Sequence, residues 1–281
     1  MGPTGSGKSR LSVDIATRIQ CEIINSDKIQ LYKGLDILTN RMPVEEQLRI
    51  RHHLLGEFDS ASQGELTPLQ YRQIGSYIIS DIISRGKVPI IVGGSNSFIY
   101  ALLSNGYNPN SDIFSGLDSV CNELRYNCCF LLMDVCVPVL NEYLVKRVDD
   151  MLDSGMMDEL TQLYDEFEMN RIKKNCGLTK AIGVPEFEEY FRYGFGGGKN
   201  EIVRKAIFEE AVKNMKNNTC ELAKTQIGKI ECLENGGWKT NRIDGTDSLR
   251  VILDGSKNFS DVWDKQVMEP CMKIVNSFLK D

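Results

Sequence analysis

Residues 2–9 read GPTGSGKS and match G-x-x-x-x-G-K-[ST] without a gap. Gly2, Gly5 and Gly7 allow tight turns at positive φ, so consecutive N–H groups point inward and form an anion nest. A helix beginning near Lys8 adds its positive dipole end. Lys8 supplies a mobile charge and Ser9 a hydroxyl for a magnesium ion. Leu11, Ile15, Ala16 and Ile19 follow at helical spacing, which supports that placement. Such a nest recognises a diphosphate rather than a nucleotide. It normally follows a buried strand, yet only Met1 precedes Gly2, so the first strand is expected to lie outside this sequence.

Working outward, strand and helix alternate. CEIINSD (21–27), KVPIIVGGS (87–95) and NCCFLLMDVC (127–136) read as buried strands. PLQYRQIGSYIISDIISRG (68–86) reads as an amphipathic helix stopped by Gly86. This alternation predicts an α/β fold of the P-loop NTPase-like kind. Its parallel sheet is flanked by helices, and ligands bind at the carboxyl ends of the strands. After Pro138 the pattern becomes helical, over 139–168 with a break at Gly155 and again over 199–233. The segment 191–201 has the composition of a mobile loop. A strand at SLRVILD (248–254) and a helix from Trp263 to Leu279 are expected to close the chain. The expected organisation is a P-loop α/β core (1–137), a smaller mostly helical domain (138–235) and a strand and helix returning to the core (236–281).

The 281 residues, 42% hydrophobic, suffice for one sizeable core. No apolar run approaches about 18 residues, which argues against a transmembrane helix. The net charge of −6 argues against non-specific nucleic-acid binding. Nine cysteines without a C-x-x-C pair, and only the adjacent His52 and His53, argue against structural zinc and for reduced thiols. The two histidines read as structural.

Three P-loop chemistries fit poorly. TNRIDG (240–245) resembles a guanine-binding N-K-x-D only loosely, with Arg242 in the lysine position. FLLMD (130–134) has the shape of a magnesium-holding strand but reads more simply as a core strand with a polar end. The Gly196–Gly198 loop lacks the arginines of a kinase lid. Asp27 is a better lead, because a carboxylate at a strand end beside the phosphate helix can take a proton from a bound substrate. On position alone, a helix-capping or loop role has equal weight.

GPTGSGKS, EIINSDKIQLYKGLDILTN, RHHLLGEFD, PIIVGGSNSFIYALL, YLVKRVDDMLDSGMMDEL, KAIGVPEF and NTCELAKTQIGKI occur in the order of motifs of the isopentenyltransferases. The resemblance runs from Gly2 to about Leu233 and is closest to the plant adenylate branch. The tRNA branch has A-K-R-Q where this chain has AKTQ, with Thr225 in the arginine position. Arg51 stands where a proline is common.

The resemblance implies prenyl transfer from dimethylallyl diphosphate to the N6 amine of an adenine nucleotide, ATP or ADP before AMP, in cytokinin synthesis. The same-family alternative is tRNA prenylation, and a phosphotransferase or nucleotide switch is the alternative outside it. The loop (Gly2, Thr4, Gly5, Ser6, Gly7, Lys8, Ser9) with Arg147 and Lys180 would hold the diphosphate, and magnesium would sit at Ser9. Asp27 would act as base beside Lys8 and Thr4, while Ser26, Thr39, Ser95 and Lys224 would contact the nucleotide. A monomer in the plastid or cytoplasm, with neither nucleic acid nor membrane as partner, completes the expectation.

Overall fold

The computed structural model describes residues 1–59, 64–116, 119–168, 177–197 and 200–280. Among these, five parallel strands form two sets. β1 (Cys21–Asn25) lies between β2 (His52–His53) and β3 (Val88–Val92). β4 (Phe130–Asp134) pairs with β5 (Thr240–Asp244). Every residue of β1 is buried, as expected for a central parallel strand covered on both faces.

Helix α1 (Lys8–Ala16) packs Leu11 and Ile15 against Met133, Ile243 and Val267, and Val13 and Ala16 against Ile23. It therefore leans on both strand sets. Helix α2 (Pro68–Ser84) begins at a capping box between Thr67 and Gln70, with Pro68 in the first turn. It buries Tyr71, Gly75, Ile79 and Ile82 at helical spacing. Helix α3 (Asn96–Leu103) follows β3 and packs on α2, where Leu102 sits against Gly75.

Helices α4 (Val137–Asp153) and α5 (Met156–Glu168) are separated at Gly155, whose φ of 98° ends the first. After α6 (Glu188–Phe195) comes α7 (Glu201–Asn235), 35 residues long. It buries one stripe: Ala211, Met215, Thr219, Ala223, Gln226, Ile230 and Leu233. One apolar cluster runs from Ile24, Tyr71 and Phe98 through Leu160 and Phe187 to Ala211, so sheet and helices share a core.

Three expectations change. Residues 248–254 are not a strand but lie mostly in helix α8 (Thr246–Leu253), whose first amide is capped by Asp244 Oδ1 at 2.8 Å. The strand there is β5, an edge strand burying only Ile243, so it carried little apolar signal. The closing helix starts earlier, as α9 (Phe259–Trp263), and passes through a wider turn at 264–268 into α10 (Glu269–Phe278). Residues 191–195 of the expected loop are the second half of α6, while 198–199 lie outside the described residues. Cys176 also lies outside them; the other eight cysteines are free, with Cys21 and Cys271 buried and Cys136 exposed.

Candidate active site

Gly2, Gly5 and Gly7 take φ of 138°, 80° and 88°, the conformations the nest requires. The loop is also tightly enclosed. A Cβ on Gly2 would lie 2.7 Å from Met133 O, and one on Gly5 2.6 Å from Leu144 Cδ2. Ser6 is buried, and its hydroxyl donates to Pro3 O at 2.9 Å, which closes the loop on itself. Helix α1 starts directly at Lys8, so its free N–H groups face the same point.

Two cations converge on this loop. Lys8 Nζ donates to Pro3 O, and burial pushes its pKa down to about 8, with Asp27 opposing the shift and Arg147 adding to it. Arg147, on α4, donates from Nη2 to Thr4 Oγ1 at 3.1 Å. Burial lowers the Arg147 pKa too, with Tyr143 and then Asp27 opposing. Its Nε is buried without a hydrogen-bond partner among the described residues. A buried unpaired donor costs about 1–3 kcal/mol, more when charged. Two cations against the single carboxylate of Asp27 leave a surplus positive charge beside an amide nest. Such an arrangement suits an anionic ligand.

Asp27 lies where β1 ends. Its Oδ1 accepts from Ile29 N at 3.2 Å, and its N–H donates to Asn25 Oδ1 at 3.1 Å, so the turn fixes the carboxylate. Ser26 is fully buried, and its main chain is tied to Val92 O and Ser95 N. Ser95 Oγ accepts from Lys28 N at 2.8 Å and so braces the same turn. Gly93 is indispensable to this approach, since a Cβ there would lie 2.1 Å from the Ser26 carbonyl carbon.

Gln226 on α7 is the residue that the sequence reading missed. Its Oε1 accepts from Thr4 N at 2.6 Å, its Nε2 donates to Gly94 O at 3.2 Å, and its carbonyl accepts from Asn96 Nδ2 at 3.2 Å. One buried amide thus pins the phosphate loop to the end of β3. The available signal was a glutamine on an otherwise apolar stripe, between Ala223 and Ile230.

The remaining expected residues make other contacts or are exposed. Lys180 pairs with Glu65, which also binds Lys28, and both lysines hold that carboxyl below its usual range. Lys224 is exposed and faces Glu221 at 3.6 Å. Thr39 is half-buried, and its carbonyl accepts from Gln30 Nε2. Ser9 is exposed in the first turn of α1. Its hydroxyl is a hard oxygen donor suited to magnesium, but there is no cluster of three or more metal-ligating side chains among the described residues. The donor set therefore fits a magnesium ion held largely by substrate oxygens and water.

The competing motifs have structural roles. Asp134 Oδ2 accepts from Arg242 at 2.9 Å, and Arg242 also binds Glu234 at 2.6 Å. The supposed guanine motif is thus an edge strand whose arginine neutralises the supposed magnesium carboxylate. His53, in β2, contacts buried Glu22 at 2.7 Å.

A model of the IPP transferase family matches residues 30–118 and 107–228. The chain belongs to that family. It is 50% identical over 295 residues to the adenylate isopentenyltransferase of Humulus lupulus, covering 100% of this chain and 89% of that protein. It is 46% identical to adenylate isopentenyltransferase 1, chloroplastic, of Arabidopsis thaliana, covering 99% and 80%. Among solved structures, a eukaryotic dimethylallyltransferase acting on tRNA aligns with a TM-score of 0.78 at 24% identity, over 99% of this chain and 78% of that one. A tRNA delta(2)-isopentenylpyrophosphate transferase from Staphylococcus epidermidis aligns at 0.69 and 22% identity, over 91% and 95%. These two likenesses establish the fold of this IPP transferase, which is the α/β P-loop-like architecture the loop predicted.

Proposed function

We propose that the chain transfers the dimethylallyl group of dimethylallyl diphosphate to the N6 amine of an adenine nucleotide, releasing diphosphate, as an adenylate isopentenyltransferase of cytokinin synthesis. The observation that carries the chemistry is Asp27, a carboxylate held within charge range of Lys8 and Arg147 at the loop. The adenine N6 is a weak nucleophile, because its lone pair is delocalised into the ring, so orientation and a base matter most. N6 attacks C1 of the prenyl chain, the C1–O bond breaks, and Asp27 accepts the N6 proton. The nest amides, Lys8 and Arg147 receive the charge that develops on the leaving diphosphate. Magnesium at Ser9, when bound, adds further neutralisation of that charge.

ATP and ADP serve as acceptors ahead of AMP in this reading, in which the exposed Lys224 of α7 would meet the outer phosphates. In this reading Thr39 and Ser95 would meet the nucleotide, the buried Ser26 would act only by holding the turn before Asp27, and Lys180 would leave Glu65 to join the diphosphate. The enzyme acts as a monomer, in the plastid by analogy with its relatives named chloroplastic, although one Arabidopsis relative is named mitochondrial.

Incubation with dimethylallyl diphosphate and, separately, AMP, ADP, ATP and unmodified tRNA, followed by mass spectrometry, tests the reading. Prenylated ADP or ATP is the expected product. Prenylated tRNA in excess of nucleotide product, or inorganic phosphate from ATP without prenylation, overturns it.

A further inference from the structure

Gly7 closes the phosphate loop and opens α1, and the space that a side chain there would need is taken. A Cβ on Gly7 would lie 3.1 Å from Cη2 and 3.2 Å from Cζ3 of Trp263, so the six-membered ring of that indole rests on the loop. Trp263 ends α9, past the motif order that closes near Leu233. It is 4% exposed and belongs to the cluster that holds Leu11, Met133 and Ile243. Core filling alone accounts for that burial. It does not account for how the ring is held.

Asp14, Phe259 and Arg10 fix the indole. Its Nε1 donates to Asp14 Oδ2 at 2.8 Å, which satisfies a buried donor. Phe259 stacks on it with centroids 5.7 Å apart and planes 19° from parallel. The Arg10 guanidinium lies 5.4 Å from the Trp263 ring centroid and 4.5 Å from that of Phe259. Gly7, Arg10 and Asp14 stand at i, i+3 and i+7, so they form one stripe running from the loop along α1. Trp263 spans that stripe. The helix that carries it has the matching phase. Trp263, Val267, Cys271 and Val275 all enter one cluster at intervals of four residues. At about 3.6 residues per turn the last would stand roughly 120° from the first, and the wider turn at 264–268 takes up that drift.

We propose that Trp263 is a positioning residue for the diphosphate site. The indole sets the place of Gly7, and through it the first free N–H groups of α1 and the root of the Lys8 side chain. Binding groups have to be held to within about 0.5 Å by side chains that are themselves locked, and the contacts with Asp14, Phe259 and Arg10 lock this one. The front of the loop is held separately, by Gln226 and Arg147 at Thr4. Trp263 holds its helical end. The inference rests on the reading that the loop takes the diphosphate of the prenyl donor. It gives the segment 236–281 a part in binding beyond closing the core.

Trp238 and Trp263 are the two tryptophans, so each can be read alone. Trp238 stacks on Phe130 at the start of β4 and donates to Cys121 O. In Trp238→Phe, inorganic diphosphate with magnesium should change the Trp263 emission along a saturable curve. In Trp263→Phe, the remaining emission should not respond. Trp263→Leu should weaken diphosphate binding by about tenfold, below the ~10²-fold that a 1 Å misplacement can cost. The KM for the prenyl donor should rise by a similar factor, with nucleotide KM little changed. Asp14→Asn keeps an acceptor for the indole N–H and should stay near the wild type, whereas Asp14→Leu should follow Trp263→Leu. If Trp263→Leu does not fold, the Asp14 pair and the Trp238→Phe titration decide. Calorimetric titration of the wild type with diphosphate separates the two readings: no binding overturns the assignment of the loop and this inference with it. Binding with a silent Trp263 in Trp238→Phe overturns this inference alone. So does a Trp263→Leu or Asp14→Leu protein that melts early yet binds diphosphate as tightly as the wild type.

Discussion

The two ends of β1 treat buried charge in opposite ways. At its start, Glu22 is buried among partners that satisfy it: Arg85 bonds both carboxylate oxygens, Lys87 Nζ lies at 2.8 Å and His53 Nε2 at 2.7 Å. At its finish, Lys8 and Arg147 share a pocket with one carboxylate, and Arg147 Nε lacks a partner. The start is a closed network that needs nothing further. The finish is an open one, with glycines held at positive φ and cations only partly neutralised. Proteins tolerate such unfinished electrostatics where a ligand completes them. Because both ends hang from the same five residues, substitutions there separate stability from catalysis.

The largest effect is expected at the open end. Asp27→Asn retains an acceptor for Ile29 N–H but cannot take the N6 proton. Single-turnover prenyl transfer with both substrates saturating should fall by about 10²–10⁴-fold, while melting stays near that of the wild type. A variant that melts early yet transfers at nearly the original rate would make Asp27 structural.

Glu22→Gln should do the reverse. It leaves Arg85, Lys87 and His53 around a neutral side chain and should destabilise by about 3 kcal/mol, the low end of the range for broken buried pairs. The low end applies because Arg85 and Lys87 are 32% and 39% exposed. The turnover of molecules that remain folded should not change. Hydrogen bonding from Arg85, then from Lys87 and His53, outweighs the opposing effect of burial and holds the Glu22 carboxyl well below its usual pKa. A depressed carboxyl pKa contributes stability above its unfolded value, about 4.3, and loses it as pH falls toward the folded value. Urea melts of both proteins should therefore differ at pH 7 and converge as the pH drops below about 4. A gap independent of pH would mean that the ionised network is not what Glu22 contributes.

The same division explains what could be read from sequence. The loop, β1, β3 and β4 are legible because their apolar runs are short and bounded, and because Gly-x-x-x-x-Gly-Lys-Ser has few structural alternatives. β5 was not, since Thr240, Asn241, Arg242 and Asp244 give an edge strand no alternation to detect. SLRVILD misled because Val251 and Ile252 favour strands locally, whereas the helix is decided by the Asp244 cap and by burial of Leu249. Asp27 could be found because its strand leads to it. Gln226 is 199 residues further along and reaches the loop only through packing of α7, which no local pattern encodes.

Gln226→Leu keeps the volume and removes both bonds, to Thr4 N and to Gly94 O. It should weaken diphosphate binding by about tenfold, matching the 1–3 kcal/mol of a buried donor left unpaired. Gln226→Glu keeps the acceptor for Thr4 but sets a carboxylate against the Gly94 carbonyl. A tie that positions the loop predicts a raised KM for the prenyl donor with nucleotide KM little changed in both variants. Equal changes in both constants would assign Gln226 to general packing.

The smallest effect, and the sharpest on acceptor choice, belongs to Lys224. It is 76% exposed, and its pair with Glu221, itself 68% exposed, spans 3.6 Å across one helical turn. Such pairs contribute about 0–1 kcal/mol, so Lys224→Ala should leave melting unchanged within error. If the lysine meets the outer phosphates of the acceptor, its contribution is also screened by water and bounded by a similar figure, up to about fivefold in KM. The effect should then scale with acceptor charge: KM rises for ATP, rises less for ADP and barely moves for AMP. Added salt should compress the difference, because screening shortens the reach of an exposed charge to about 8 Å at physiological ionic strength. A uniform change across the three nucleotides would place Lys224 outside the phosphate site.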